Sequence, residues 1–172
     1  ILSYNTTKRT LSVDYTNSGN EETMDCFFAS AKDITVGNVY DNAITLTRPF
    51  AQVNIGTKDW DDYNSISPIS TVGITIGNIY SEFSLMDGSL IGDAASVTFQ
   101  NFVPSIDQSF PKDSYKYISM NYVLVNLRTL INVSMTVNHS NGTDAKTINI
   151  GDVAVERNYQ TNIYADKLLS EH

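Results

Sequence analysis

Leu46-Thr47-Arg48-Pro49-Phe50-Ala51-Gln52-Val53-Asn54-Ile55-Gly56 decides how this chain is read. Ahead of Pro49, Ile44 and Leu46 share one parity; after it, Ala51, Val53 and Ile55 share the other. Alternate side chains of a strand point to opposite faces, so a change of parity implies an inserted residue. Proline donates no ladder hydrogen bond, which puts the irregularity at Pro49. The stretch therefore predicts a long strand that kinks at Arg48 and Pro49 and follows the core on both sides. An arginine at a kink pairs with a carboxylate or bonds loop carbonyls, so Arg48 reads as structural.

The same period continues outward from this stretch. Leu11, Val13 and Tyr15 alternate with Ser12 and Asp14, after a polar turn over 5–10. Residues 34–40 read as a strand interrupted by Gly37, and Asp41-Asn42 as the tight turn into the central stretch. Val72, Ile74 and Ile76 alternate, Gly77 suits a bulge, and 79–83 extend the strand. Asp87-Gly88 is a turn signal, and 95–103 form the next strand, with Val97, Phe99 and Asn101 on one face. Residues 117–127 become apolar on both faces, as in a strand central to its sheet or covered on both sides.

Residues 131–138 and 145–155 flank Asn141-Gly142, the strongest hairpin signal in the chain. Val133, Met135 and Val137 face the core from one arm and Ile148 and Ile150 from the other, while Gly151-Asp152 breaks the second arm. Residues 158–164 supply a last strand. Residues 17–22 read as a solvated loop, 24–31 as a helical turn or a strand, and 104–114 as the longest polar connection. Residues 57–63 open like a helix, with acids in the first turn. The pattern predicts an all-β fold, an antiparallel β-sandwich with at most one or two short helices.

At 172 residues the chain can bury roughly 70% of its unfolded surface, and one core is the simpler reading. The net charge of −8 leaves no electrostatic footprint for nucleic acid and reads as a solubility device. No apolar run approaches ~20 residues, so no transmembrane helix is expected, and no charged-then-apolar leader appears. Ile1 suggests a processed or trimmed start. Cys26 is the only cysteine, so no intrachain disulfide is expected. Its apolar neighbours and lack of nearby His or Lys read as a buried, inert thiol.

Chemistry is sparse. The two histidines are His139, which the hairpin reading puts in solvent, and His172, which reads as a tag remnant. A Ser-His-Asp site would have to use His139. There is no phosphate loop and no Cys/His metal spacing. Asp59, Asp61 and Asp62 invite a calcium reading but lack the glycine and distal Glu of such a loop, so no metal and no cofactor are assigned. Strand-borne acids converge only in three dimensions, and nothing here favours a glycosidase pair over surface acids. Trp60, Tyr63, Tyr115 and Tyr117 would equip a sugar-stacking platform, the alternative being that they are core or rim. Sequons at Asn5, Asn132, Asn138 and Asn141 are close to chance in so Asn- and Thr-rich a chain.

Three segments occur in order: Arg48-Pro49-Phe50-Ala51-Gln52-Val53-Asn54-Ile55-Gly56, Tyr117-Ile118-Ser119-Met120-Asn121-Tyr122-Val123-Leu124-Val125, and Glu156-Arg157-Asn158-Tyr159-Gln160-Thr161-Asn162-Ile163-Tyr164 with Leu168-Leu169 beyond. Together they resemble the fimbrillin-like surface proteins of Bacteroidales, the type V pilin subunits and their accessory proteins. That resemblance implies a transthyretin-like, Greek-key sandwich and a lipoprotein precursor, secreted through the periplasm to the outer membrane or its fimbriae. It implies partners too: other fimbrial subunits joined by strand addition, and a host or bacterial surface ligand for adhesion. It makes 1–172 the later part of a longer precursor, with any subdivision near 104–116. Cys26 and Arg9 match neither the lipidated cysteine nor the cleavage-site arginine of that family. It implies no enzyme; a carbohydrate-binding sandwich module of a surface lipoprotein is the alternative.

Overall fold

A computed structural model of the chain describes residues 1–30, 37 and 43–171. The strand expected over 34–40 and the turn at 41–42 fall outside the described residues, Gly37 apart, as does His172. Among the described residues there are eleven strands and one α-helix: β1 Leu2–Asn5, β2 Thr10–Val13, β3 Phe50–Thr57, α1 Trp60–Ile66, β4 Ile69–Ile79, β5 Glu82–Ser84, β6 Leu90–Ile91, β7 Ala95–Phe102, β8 Lys116–Leu124, β9 Arg128–His139, β10 Lys146–Glu156 and β11 Gln160–Ala165. The expected all-β sandwich is what forms.

Two sheets face one another, ordered β10-β9-β4-β7 and β11-β3-β8, and a small sheet β1-β2-β5-β6 packs beside them. From one side Ala51, Val53 and Ile55 meet Val72, Ile74, Ile76, Val133, Met135 and Val137 from the other, all of them buried, in one hydrophobic cluster. Burial of that many branched side chains is the main stabilising term, at roughly 25 cal/mol per Å² of apolar surface. The Asn-Gly hairpin is present as β9 and β10, with Gly142 in the left-handed region at φ 82. Gly151, at φ 89, does not end the second arm: it makes a bulge inside a continuous β10.

Four expectations are corrected. The strand begins only after Pro49; Ile44 and Leu46 are 55% and 59% exposed, so the core is followed on one side of the kink alone. Alternation ahead of Pro49 marks extended chain, but among the described residues no sheet partner or opposing layer gives it a buried face, and Thr47 makes an isolated bridge to Phe28. The last strand, β11, runs parallel to β3, so the sandwich is not wholly antiparallel. β4 stops at Ile79, and Phe83 belongs to the small sheet. The supposed solvated loop at 17–22 is largely a seam, with Ser18 fully buried. β8 is buried on both faces although it is an end strand: Phe110 packs on Tyr117, and the segment carrying Glu22 and Asp25 lies beside Tyr122.

Phe110 packs its ring against Gly56. A Cβ there would stand 2.7 Å from the Phe110 ring, so glycine is what lets this cover close. Gly56→Ala is expected to cost about 2 kcal/mol by overpacking, read as a lower urea midpoint at unchanged m-value.

Candidate functional site

The four aromatics singled out by sequence do not form one platform. Trp60 and Tyr117 are both 5% exposed, so neither ring offers a face to solvent. Trp60 is drawn in because α1 must bury one side against the sandwich end. Tyr117 turns to the outer side of β3, where its hydroxyl donates to Asn54 and its ring meets Phe110 edge-on at 5.1 Å. Burial raises the Tyr117 hydroxyl well above the ordinary tyrosine range. Tyr63 and Tyr115 are half-buried and belong to different clusters.

Those two clusters border one cavity of about 350 Å³ at the end of the sandwich, lined by Lys58, Asp59, Asp62, Tyr63, Ile66, Asp166, Lys167 and Ser170. On one side Tyr63 bonds His139 through its hydroxyl (3.1 Å to Nε2), and His139 Nδ1 lies 3.0 Å from the Asp144 carbonyl. His139 is therefore half-buried against a tyrosine rather than free in solvent, since the hairpin folds back over α1. On the other side the Tyr115 hydroxyl donates to Asp166, which Lys58 also reaches at 3.0 Å, and the Lys58 ammonium sits 4.9 Å from the Tyr115 ring centre. The Tyr115 bond, then Lys58, holds the Asp166 carboxyl below its ordinary range.

Asp59 forms the floor. Its carboxylate accepts from the Thr57 hydroxyl, from Leu169 N at 3.2 Å, and from Ser170 N and Oγ at 2.9 and 2.8 Å. Burial works to raise its pKa, but the bonds from Thr57, Ser170 and Leu169 outweigh it, and the carboxyl stays below its usual range. This clasp ties the C-terminal turn down, with Leu168 and Leu169 buried beneath it. Sequence reasoning took Asp59 for a helix-start acid. The acceptor role depends on residues 110 positions away, which leave no local signal. Among the described residues no three His, Cys, Asp or Glu side chains gather as a metal site.

The flanks of the sandwich differ. Along β7 and β8 the seam is filled: Gln100 N donates to Thr16 O, Asn20 bonds Met120 through both its backbone N and its Oδ1, and Ser105 N reaches Ile118 O. Tyr80 N and the Tyr15 hydroxyl serve Leu124. Along β10 and β11, each the last strand of its sheet, no described strand adds to the outer edge. A second cavity of about 380 Å³ lies there, lined by Arg128, Ala154, Val155, Glu156, Tyr159 and Thr161. Leu127, Leu130 and Tyr159, at 74%, 58% and 62% exposed, stand beside it.

Arg48 has the structural role read from the sequence: its guanidinium takes Asp25 in two bonds, 2.6 and 2.9 Å. Cys26 is half-buried rather than buried, and burial followed by the Asp25 charge pushes its thiol pKa up, away from reactivity. Sequence reasoning missed Arg157 as an individual. Its guanidinium donates to the Val125 carbonyl twice and to Gly88 O at 2.8 Å, joining the open flank to the small sheet.

These features define an all-β sandwich protein with one sealed flank, one open flank and a polar cavity at its end. More particularly, the chain belongs to the DUF6562 family, a family of unknown function whose model matches residues 2–172. No curated protein matches it.

Proposed function

We propose that this chain is a structural or adhesive cell-surface protein of the fimbrillin-like kind, a fimbrial subunit or fimbria-associated anchor that joins partners by strand addition. The open flank is the observation that carries this reading. In a parallel pair each residue turns both backbone groups to one side, and successive residues alternate. Ala165 O accepts from Lys58 N on the β3 side, so the backbones of Gln160, Asn162 and Tyr164 face outward. A strand added there satisfies those groups and covers exposed apolar surface at the same time. Of the two flanks of the facing sheets, the β7/β8 side is filled, which leaves the β10/β11 side for a partner's strand.

Immunogold electron microscopy of the native cells, with antibody raised against this chain, tests the role: label along or at the tips of filaments is expected. Label confined to an envelope without filaments overturns it. Hydrogen exchange on the recovered assemblies tests the route. The amides of Gln160, Asn162 and Tyr164 are expected to gain protection of tenfold or more over the isolated chain; protection gained only along β7 or β8 overturns strand addition at this edge.

A further inference from the structure

We infer that the cavity between α1 and the C-terminal turn binds a neutral saccharide unit. This inference stands apart from strand addition, since that cavity and the open-flank cavity share no lining residue. Lys58, Lys112, Lys146 and Lys167 gather at this end of an acidic chain, and three of them lie over tyrosine rings: Lys58 on Tyr115, Lys112 on Tyr164 and Lys146 on Tyr63. They are met by Asp62, Asp166 and Glu171 and by the clasped Asp59, with Lys58 on Asp166 and Lys167 on Glu171. Within the lining itself Lys58 and Lys167 stand against Asp59, Asp62 and Asp166, and both lysines are already paired, with Asp166 and Glu171, so the lining holds no unpaired cation with which to select an anion.

What it presents instead is a wall and a rim. Tyr63 and Ile66 make an apolar wall, and Ile66 stands 79% exposed at the end of the helix. Around it Asp62 and Asp166 offer acceptors, as does the Ser170 hydroxyl oxygen, whose proton is already given to Asp59, and Lys58 and Lys167 offer donors. A sugar ring has the matching anatomy, an apolar C–H face surrounded by hydroxyls that each donate and accept. The volume lies at the lower end of the range for small-ligand pockets, which suits one or two rings. Asp59 already accepts from Thr57, Leu169 and Ser170, so it holds the floor rigid and is not itself the contact. Lys146 steadies the same wall, donating to Leu169 O at 2.6 Å with its ammonium over the Tyr63 ring.

The test is an amide-resolved NMR titration of the full chain with neutral hexoses, N-acetylhexosamines and their disaccharides at roughly 10 mM, against an expected Kd of about 1 mM or tighter. Saturating shifts at Lys58, Asp62, Tyr63, Ile66 and Asp166 are expected for at least one of them. Ile66→Arg and Asp62→Ala alter exposed positions and leave the fold intact, and each is expected to raise the Kd tenfold or more. Silence across the panel overturns the inference. So do shifts confined to other residues, an unchanged Kd in both variants, or tighter binding of a uronic acid than of its neutral hexose.

Discussion

Replacing Asp59 with Ala is expected to lower stability by about 3 kcal/mol, because Leu169 N, Ser170 N and the Thr57 hydroxyl lose a buried acceptor together. For a chain of this length that is a melting temperature lower by roughly 6–12 °C. Asp59→Asn is expected to recover little, since its amide donor would face groups that are themselves donors. The pH dependence has a definite sign. The folded carboxyl is held below its ordinary value, so its contribution is present above about pH 4 and is lost as pH falls through the folded pKa. Urea titrations at pH 7 and pH 3 are expected to show the gap between wild type and Asp59→Ala shrinking at the lower pH. A gap that widens there would show that the carboxylate is not the clasp. Amide exchange at Leu169 and Ser170 is expected to speed up in the variant before global unfolding does, since the C-terminal turn is what the clasp secures.

Arg157→Ala is the second large effect, also about 3 kcal/mol. The Val125 carbonyl lies in a fully buried residue and accepts twice from the guanidinium, while Gly88 O accepts a third bond. Removing the side chain leaves both carbonyls unpaired and strips a cation from 5.5 Å above the Phe83 ring. Burial lowers the Arg157 pKa from its ordinary value, the sign expected of a cation held by carbonyls alone. Arg157→Lys is expected to restore less than half of the loss, because a point ammonium cannot span two carbonyls as the planar fork does. Thermal unfolding of both variants checks this, and equal melting temperatures for Arg157→Lys and wild type would refute the two-carbonyl geometry. Near-equal loss in Arg157→Ala and Arg157→Lys would support it most strongly.

The sandwich was legible wherever its cause was local. Val72, Ile74 and Ile76 alternate because one face of β4 is buried, and that period survives in the sequence. Asn141-Gly142 specifies its hairpin because only a few residues accept the backbone the turn demands. The start of α1 was readable from its first-turn acids. The site was far less legible. Tyr63 and Tyr115 were picked out with Trp60 and Tyr117, and the four divide between rim and interior according to which layer covers each. Nothing in residues 57–63 announces that Asp59 will hold Leu169 and Ser170.

By itself, then, the sequence determined an all-β chain with given strands, a hairpin between β9 and β10, and a short helix after β3. Only the tertiary structure decided that β11 lies parallel to β3, that one flank is sealed by Tyr15, Thr16 and Asn20, and that no described strand adds to the other. It alone placed Ile44 and Leu46 in solvent and Trp60 inside. The physical reason is that a period of two says which residues share a face, while the partner strand and the covering layer are set by contacts a hundred residues apart.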